Sequence, residues 1–586
     1  MHLTSWWGRM VLLCMAAGTG PLMHAGWASQ EITLEPGWNA VYLSVQPAPK
    51  SCDEVFQDIP VKSVWTWNRR FSPVQFVRDP NTLVPEEEEW LTWFPADSYQ
   101  AFLSTFHALT GGKGYLIELD SESPVTLTLS GTAVTAGTDW LSDSFNLVGF
   151  EVDPNNTPTF ARFFAPAKEL AGQQAYRLDR EGRWERIEDW EDERIQPGEA
   201  YLVYCDGPST YRGPVAVHTE MPGGLRFGLE VTQQKLFLEN TTDTAKTLRL
   251  SLAPTERALS EGGGPSAGEV ALYYKRTLAW RPMEDPLSVT LEPDSKGVIE
   301  LAVRRAEMPT PSSEDAVFAN TLEISDGAGS LLRVPVSARK AIDDAGLYVG
   351  LAVLDAVSEA GALDSVTPKP TPSEFRFRLI VHKDDQDPPQ VHLLQHVTVM
   401  QVQPSEVPDP DDPDNTIVVP GRYVLLADDA LVAGYEGVSL RDNEIVGRRI
   451  SSPVFGFDDP VDLVQDADNP ALYTGVIVMT YDDPKNPFLH RYHPDHNNLN
   501  ELYAPFENAS GDDVSENVES YTFTRTVKLT FTADDPERLG EISWGYDLIG
   551  GIYEETISGL HKRDIHLKGT FRLNRVSSVA RLNDEL

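Results

Sequence analysis

The chain is short of cysteine, of positive charge and of long apolar runs, and each shortage closes off a class of protein. Three cysteines in 586 residues build neither a disulfide scaffold nor a zinc site made of thiolates. One of them, Cys14, lies in an apolar run, Met10 to Ala17, that follows Arg9 and precedes the small-x-small sequence Gly26-Trp27-Ala28. That order predicts an export signal over residues 1–28, cut after Ala28, with Leu13 too bulky for lipoprotein processing. Cys52 and Cys205 then remain, and an oxidising compartment would admit one disulfide between them. Beyond the signal no stretch offers the ~20 apolar residues that cross a bilayer. The mature protein is therefore expected to be secreted or held at the cell surface, with no membrane span.

Lysine and arginine number 48 against 89 acidic residues, a net charge of −41. Removing the signal takes away one arginine and no acid, which enlarges the excess. So acidic a surface excludes nucleic acid and anionic membranes as expected partners, since both attract Lys and Arg. Sequence signatures of catalysis are missing as well. There is no G-x-S-x-G elbow, no H-E-x-x-H, no phosphate loop and no dinucleotide glycine pattern. Carboxylate pairs are too many for spacing to nominate two for glycoside hydrolysis.

What is present reads as β structure. From Gln30 onward, short alternating runs are broken by Pro, Gly and Asp, and few windows have helical period. The length predicts three or four domains. Gly37-Trp38-Asn39-Ala40-Val41-Tyr42-Leu43 leads to Pro47, and Gly114-Tyr115-Leu116-Ile117 closes the first module. Phe145-Asn146-Leu147-Val148 leads to Pro154, and Ala200-Tyr201-Leu202-Val203 closes a second. Asn39 and Asn146 stand 107 residues apart, as do Pro47 and Pro154, whereas Tyr115 and Tyr201 stand 86 apart. This spacing predicts duplicated small β modules, residues 29–132 and 133–221, with an insertion in the first around Pro85 to Leu109. The opening and closing strings resemble a "GWNLVSLP…GYWV" module of large secreted bacterial surface proteins. The resemblance covers about a third of the chain and implies an adhesive or surface setting, not a reaction.

Inside the insertion, four glutamates precede Trp90, Leu91, Thr92, Trp93 and Phe94. Trp90 and Trp93 are candidates to stack on sugar rings. The favoured alternative is that they pin the insertion to its own core, because aromatics bury large areas. Residues 222–340 hold about eight evenly spaced short strands, which predicts an immunoglobulin-like β-sandwich with Trp280 as a candidate core aromatic. Residues 341–586 open with Gly346-Leu347-Tyr348-Val349-Gly350 and close with Gly569-Thr570-Phe571-Arg572-Leu573. A long antiparallel run between those ends predicts a β-barrel-like domain, with an open sandwich as the alternative. Strands are expected at 390–401 and 422–427 among others. The fold class is thus mainly β and multi-domain.

The richest chemistry lies in Asn486–Asn500, which carries three of the twelve histidines. His490, His493 and His496, with Asp495, could converge on zinc or another transition metal if the segment is a loop, since Pro487 and Pro494 forbid a regular helix. An open zinc position would supply a hydroxide nucleophile. Loop histidines that cap backbone groups are the commoner arrangement. The run Pro408 to Asn415 offers oxygens, yet it lacks the glycine and distal Glu of a calcium loop, so calcium is not expected. Arg448, Arg449, Arg491 and Arg525, with Tyr492 and Tyr521, could form a pocket for anions; pairing with buried carboxylates is the favoured alternative. The strings Gly437-x-Ser439-Leu440-Arg441-Asp442, Gly447-Arg448-Arg449-Ile450-Ser451-Ser452, His490–His496 and Glu519-Ser520-Tyr521-x-x-x-Arg525 also resemble an uncharacterised domain of secreted bacterial proteins. The expectation is a non-catalytic binding or structural protein that recognises polysaccharide or an envelope protein. The alternative is a metal-dependent hydrolase built on the three histidines.

Overall fold

A computed structural model describes the chain from Trp27 to Asp584, apart from residues 68–89, 136, 256–265, 284–285, 360–365, 403, 409–414, 436–439, 442–443, 446, 453–456, 458, 492–505, 508–512, 515–517 and 562. The fold is mainly β, and its contacts divide it into two compact units, 1–342 and 343–586. Most of the predicted signal and the acidic Asp409–Asp414 run lie outside the described residues.

The first unit begins with two modules whose sheets repeat one connectivity. Strands Gly37–Tyr42, Gly114–Leu119, Val61–Trp67 and Trp90–Trp93 form one sheet in that order. Strands Ser144–Val148, Tyr201–Cys205, Ala175–Leu178 and Trp184–Arg186 form the other. Register matches as well: Val41 faces Tyr115 and Val148 faces Tyr201. In each module the same asparagine ties the turn before its strand. Asn39 Oδ1 accepts from Glu35 N at 2.8 Å, and Asn146 Oδ1 accepts from Leu141 N at 2.8 Å. Each amide also donates back to the same residue's carbonyl. A tyrosine hydroxyl does the equivalent work later, Tyr115 accepting from Thr110 N and Tyr201 from Gln196 N, both at 2.8 Å. These bonds occupy turn backbone groups that no strand ladder reaches. The extra length of the first module starts earlier than its sequence indicates. Residues 68–89 join Trp67 to Trp90, where only residues 179–183 join Leu178 to Trp184.

Next come two five-stranded sheets that share one core. Val215–Thr219, Gln233–Asn240, Ser295–Val303, Leu272–Arg276 and Ala279–Pro282 form the first. Leu225–Arg226, Leu331–Ala338, Phe318–Ser325, Lys246–Pro254 and Leu287–Leu291 form the second. Alternation explains the burial: in Gln233–Asn240, residues Gln234, Leu236, Leu238 and Asn240 point inward and the odd positions outward. Leu236, Leu250, Leu301, Phe318 and Val336 are fully buried between the sheets. Trp280 is not in that core. It lies half-buried on the edge hairpin with Lys275 Nζ 5.6 Å from its ring centroid, because its strand pairs only at the margin of the sheet.

The second unit is a closed antiparallel barrel of eight strands: Gly346–Val357, Lys369–Lys383, Val391–Leu393, Val461–Gln465, Leu472–Met479, Phe523–Phe531, Leu548–Ser558 and Ile565–Ser577, the last pairing with the first. Sequence order and spatial order coincide. Gly350 and Gly551 lie on the inward phase of their strands, and a Cβ on either would lie 1.8 Å from a neighbouring carbonyl oxygen, Arg572 O or Thr530 O. Only glycine permits that approach. The strand expected at 390–401 breaks after Leu393; His396–Val402 leaves the barrel and forms a three-stranded sheet with Arg422–Leu426 and Arg448–Ser451. That sheet covers part of the barrel's outer face through Val397 and Leu425, packed on Leu347 and Ile380. Elsewhere the outer face mixes exposed charges, Arg376, Lys528 and Lys568 among them, with exposed apolar side chains such as Val464, Val476 and Val478. No helix among the described residues is long and apolar enough to cross a membrane.

Candidate ligand site at the mouth of the C-terminal barrel

An eight-stranded barrel is just wide enough for side chains to fill it or for one small ligand to enter. Here both happen, at different depths. The middle is packed by Phe377, Leu379, Val527, Leu529, Tyr553, Phe571 and Leu573. At the end where Gly346 pairs with Lys383 the filling stops short and leaves a cavity of about 210 Å³. Val381, Val391, Phe531 and Ile549 supply its apolar wall, and Tyr348, Tyr473, Asp344, Lys383 and Thr532 its polar groups.

Strand period puts these side chains there. Leu379 and Val381 face the barrel interior, so Lys383, two residues on, reaches the rim on the same face. Its ammonium pairs with the Asp344 carboxylate. Tyr348 is fully buried and donates its hydroxyl to Asp344 O at 2.6 Å. Tyr473 packs edge-on against Phe531, with centroids 5.7 Å apart, and its hydroxyl accepts from Gln465 Nε2 at 3.1 Å. Burial pushes both phenols above their ordinary pKa, with nearby Asp344 adding to it, so both stay protonated donors. The segment 532–547 flanks the opening. Its Trp544 is buried beside Gly550 and donates to Ala533 O at 2.9 Å. The mouth therefore combines an apolar wall with hydroxyl and ammonium donors, a set suited to binding and orienting a ligand.

The residues nominated by sequence fall elsewhere. Arg525 points into the opposite half of the barrel and makes a forked pair with Glu555, whose Oε2 also accepts from Tyr553 at 2.8 Å. Glu555 is 3% exposed. A buried carboxylate needs such partners, so Arg525 satisfies a core charge and does not meet a ligand anion. Arg448 and Arg449 lie exposed on the covering sheet, with Arg449 Nη1 3.1 Å from Asp429 Oδ2. They do not converge with Arg525. Tyr521 is half-buried, and its carbonyl accepts from Asn486 Nδ2 at 2.8 Å. That bond helps to close the neck of the histidine insertion, where His490–Arg491 pairs with Val518–Glu519. Tyr492, His493, Asp495 and His496 lie outside the described residues. Among the described residues, no three His, Cys, Asp or Glu side chains gather as a metal would require.

Trp93 is 3% exposed, packs on Phe56 and donates to Asp53 Oδ1 at 3.2 Å. Trp90 meets Trp67 edge-on at 5.0 Å, in a cluster where the two modules' sheets join. Trp93 is thus a packing residue, whereas Trp90 stays partly exposed. Cys52 and Cys205 are free thiols buried in separate cores, so the disulfide between the modules is not made.

Sequence reasoning passed over Lys383, Asp344 and Tyr473. The one local signal was a lysine ending an alternating inward run. A scan of known family models returns no match to the chain, and a search of curated proteins returns none either.

Proposed function

We propose that the chain is a secreted or cell-surface binding protein without a catalytic role, whose ligand sits in the mouth of the C-terminal barrel. The observation that carries this reading is the 210 Å³ cavity, walled by apolar side chains and edged by Lys383, Tyr348 and Tyr473. Pockets of that make-up, at the mouths of barrels, are where small ligands are commonly held. The acidic composition and the N-terminal export signal support an extracellular setting. The matching registers of the two small modules support descent from one duplicated unit, with the modules and the immunoglobulin-like sandwich serving as spacer. For a polysaccharide or an envelope protein, only a terminal group would enter a cavity of this size.

Saturation-transfer NMR on the full chain tests the reading, using a library of small polar and amphiphilic compounds beside a Val391→Trp variant that fills the cavity. Compounds that receive saturation from the native protein and lose it in a folded variant support a mouth site. The same compounds on both proteins, or none on the native one, would count against it.

A further inference from the structure

Resting on that reading of the mouth, we propose that its ligand is a small monocarboxylate with an apolar body of one ring or a short chain. Size comes first. A dry 150 Å³ cavity accepts benzene, and the mouth, at about 210 Å³, has room for one such ring and a short substituent. Val381, Val391, Phe531 and Ile549 surround that space with hydrocarbon.

The sign of the head group follows from the ion pair at the rim. Lys383 is the inner member, with its side chain 21% exposed, whereas Asp344 is 57% exposed. An incoming carboxylate takes the place of Asp344 on the ammonium while Asp344 turns out to water. One anion replaces another, and the lysine never loses a partner. An ammonium ligand in the cavity would lie beside the Lys383 ammonium, the more buried charge of the pair, and be repelled by it. Tyr473 adds to the selection. Its oxygen already accepts from Gln465 Nε2, which leaves its own hydrogen to donate toward an anionic oxygen. Charge-assisted bonds of this kind are stronger than neutral ones.

Isothermal titration of the full chain tests this with three ligands of one shape: phenylacetate, phenylacetamide and phenethylamine. Hexanoate adds a chain-shaped carboxylate. Phenylacetate is expected to bind about tenfold or more tightly than the amide or the amine, the worth of the one added charge-assisted bond, from Tyr473, since the bond to Lys383 is an exchange. Lys383→Met keeps the apolar stem and is expected to level phenylacetate with phenylacetamide. Asp344→Asn removes the internal competitor and is expected to tighten phenylacetate several-fold, an effect that loss of structure would not produce. If phenylacetamide binds as well as phenylacetate, and neither variant changes the order, the carboxylate inference fails while the mouth remains a binding site. If none of the four compounds binds, the inference and the reading beneath it fail together.

Discussion

Lys383 and Asp344 stand 39 residues apart in sequence and meet as an ion pair at the rim of the barrel, with the lysine on the inner side and the aspartate toward water. The pair is neutral as a whole, but its inner member brings a positive charge to the cavity. Attraction of a ligand anion to this lysine is therefore weakened by salt, and by less than for a fully exposed charge. Raising ionic strength from 0.05 to 0.5 M (both about, the Debye length falling severalfold) is expected to weaken phenylacetate binding and leave phenylacetamide binding unchanged. Titrations at two salt concentrations check it.

A second prediction concerns the Arg525–Glu555 pair in the other half of the barrel. Arg525→Met leaves Glu555 buried without its cation and is expected to destabilise the second unit by ~3–5 kcal/mol. The double variant Arg525→Met, Glu555→Gln is expected to recover most of that loss. Denaturant unfolding followed by a barrel probe reports both. Equal losses in the single and double variants would mean that packing, not charge, sets the cost.

Glu151 carries a pH dependence in the first unit. Its carboxylate lies 3.6 Å from Arg333 Nη1, yet burial outweighs that attraction and pushes its pKa up from 4.5 to about 7. The folded state therefore holds a proton that the unfolded chain releases above pH 4.5. Its contribution to stability is full below pH 4.5 and is lost as pH rises through about 7. Glu151→Gln is expected to flatten the stability profile of the first unit between those pH values. Melting temperatures of both proteins across that range provide the check.

The two thiols should be silent in the native state. Burial pushes the Cys52 thiol up to about 12 and the Cys205 thiol up to about 11, with nearby carboxylates adding to both. Thiolate is the reactive form. Iodoacetamide at neutral pH is expected to leave both residues unmodified in the folded protein and to label both after denaturation, as peptide mass spectrometry would show. Disulfide-linked peptides from non-reduced protein would contradict the separate-core placement.

The histidine insertion is tested by elemental mass spectrometry on protein purified without a histidine tag. A binding protein with its site at the mouth is expected to carry no stoichiometric zinc or other transition metal. Near-stoichiometric metal, lost in His493→Ala, would favour a hydrolase built on His490, His493 and His496.

The barrel was legible because its signals are local. Gly346 to Val353 alternates small and bulky residues, and the chain closes on Gly569-Thr570-Phe571-Arg572-Leu573, so each of these strands announces its own period. The break after Leu393 was not legible. High β-propensity runs on through His396–Val402, and only the closure of the barrel decides that those residues pair with Arg422–Leu426 instead. Arg525 misled for a related reason: its partner Glu555 lies one strand away, and an inward arginine looks the same in sequence whether it meets a ligand or a buried acid. Lys383 was passed over because a charged residue at a strand end is ordinary. Its meaning comes from Asp344, Tyr348 and Tyr473, which only the closed sheet brings around it.

The claim that the mouth is a ligand site meets its most direct test in methyl NMR of the full chain, labelled at isoleucine and valine, as phenylacetate is added. The account predicts shifts that saturate together at Ile549, Val381 and Val391, the methyl-bearing wall of the cavity. Saturating shifts confined to other methyl groups, or none at all at millimolar ligand, would contradict it.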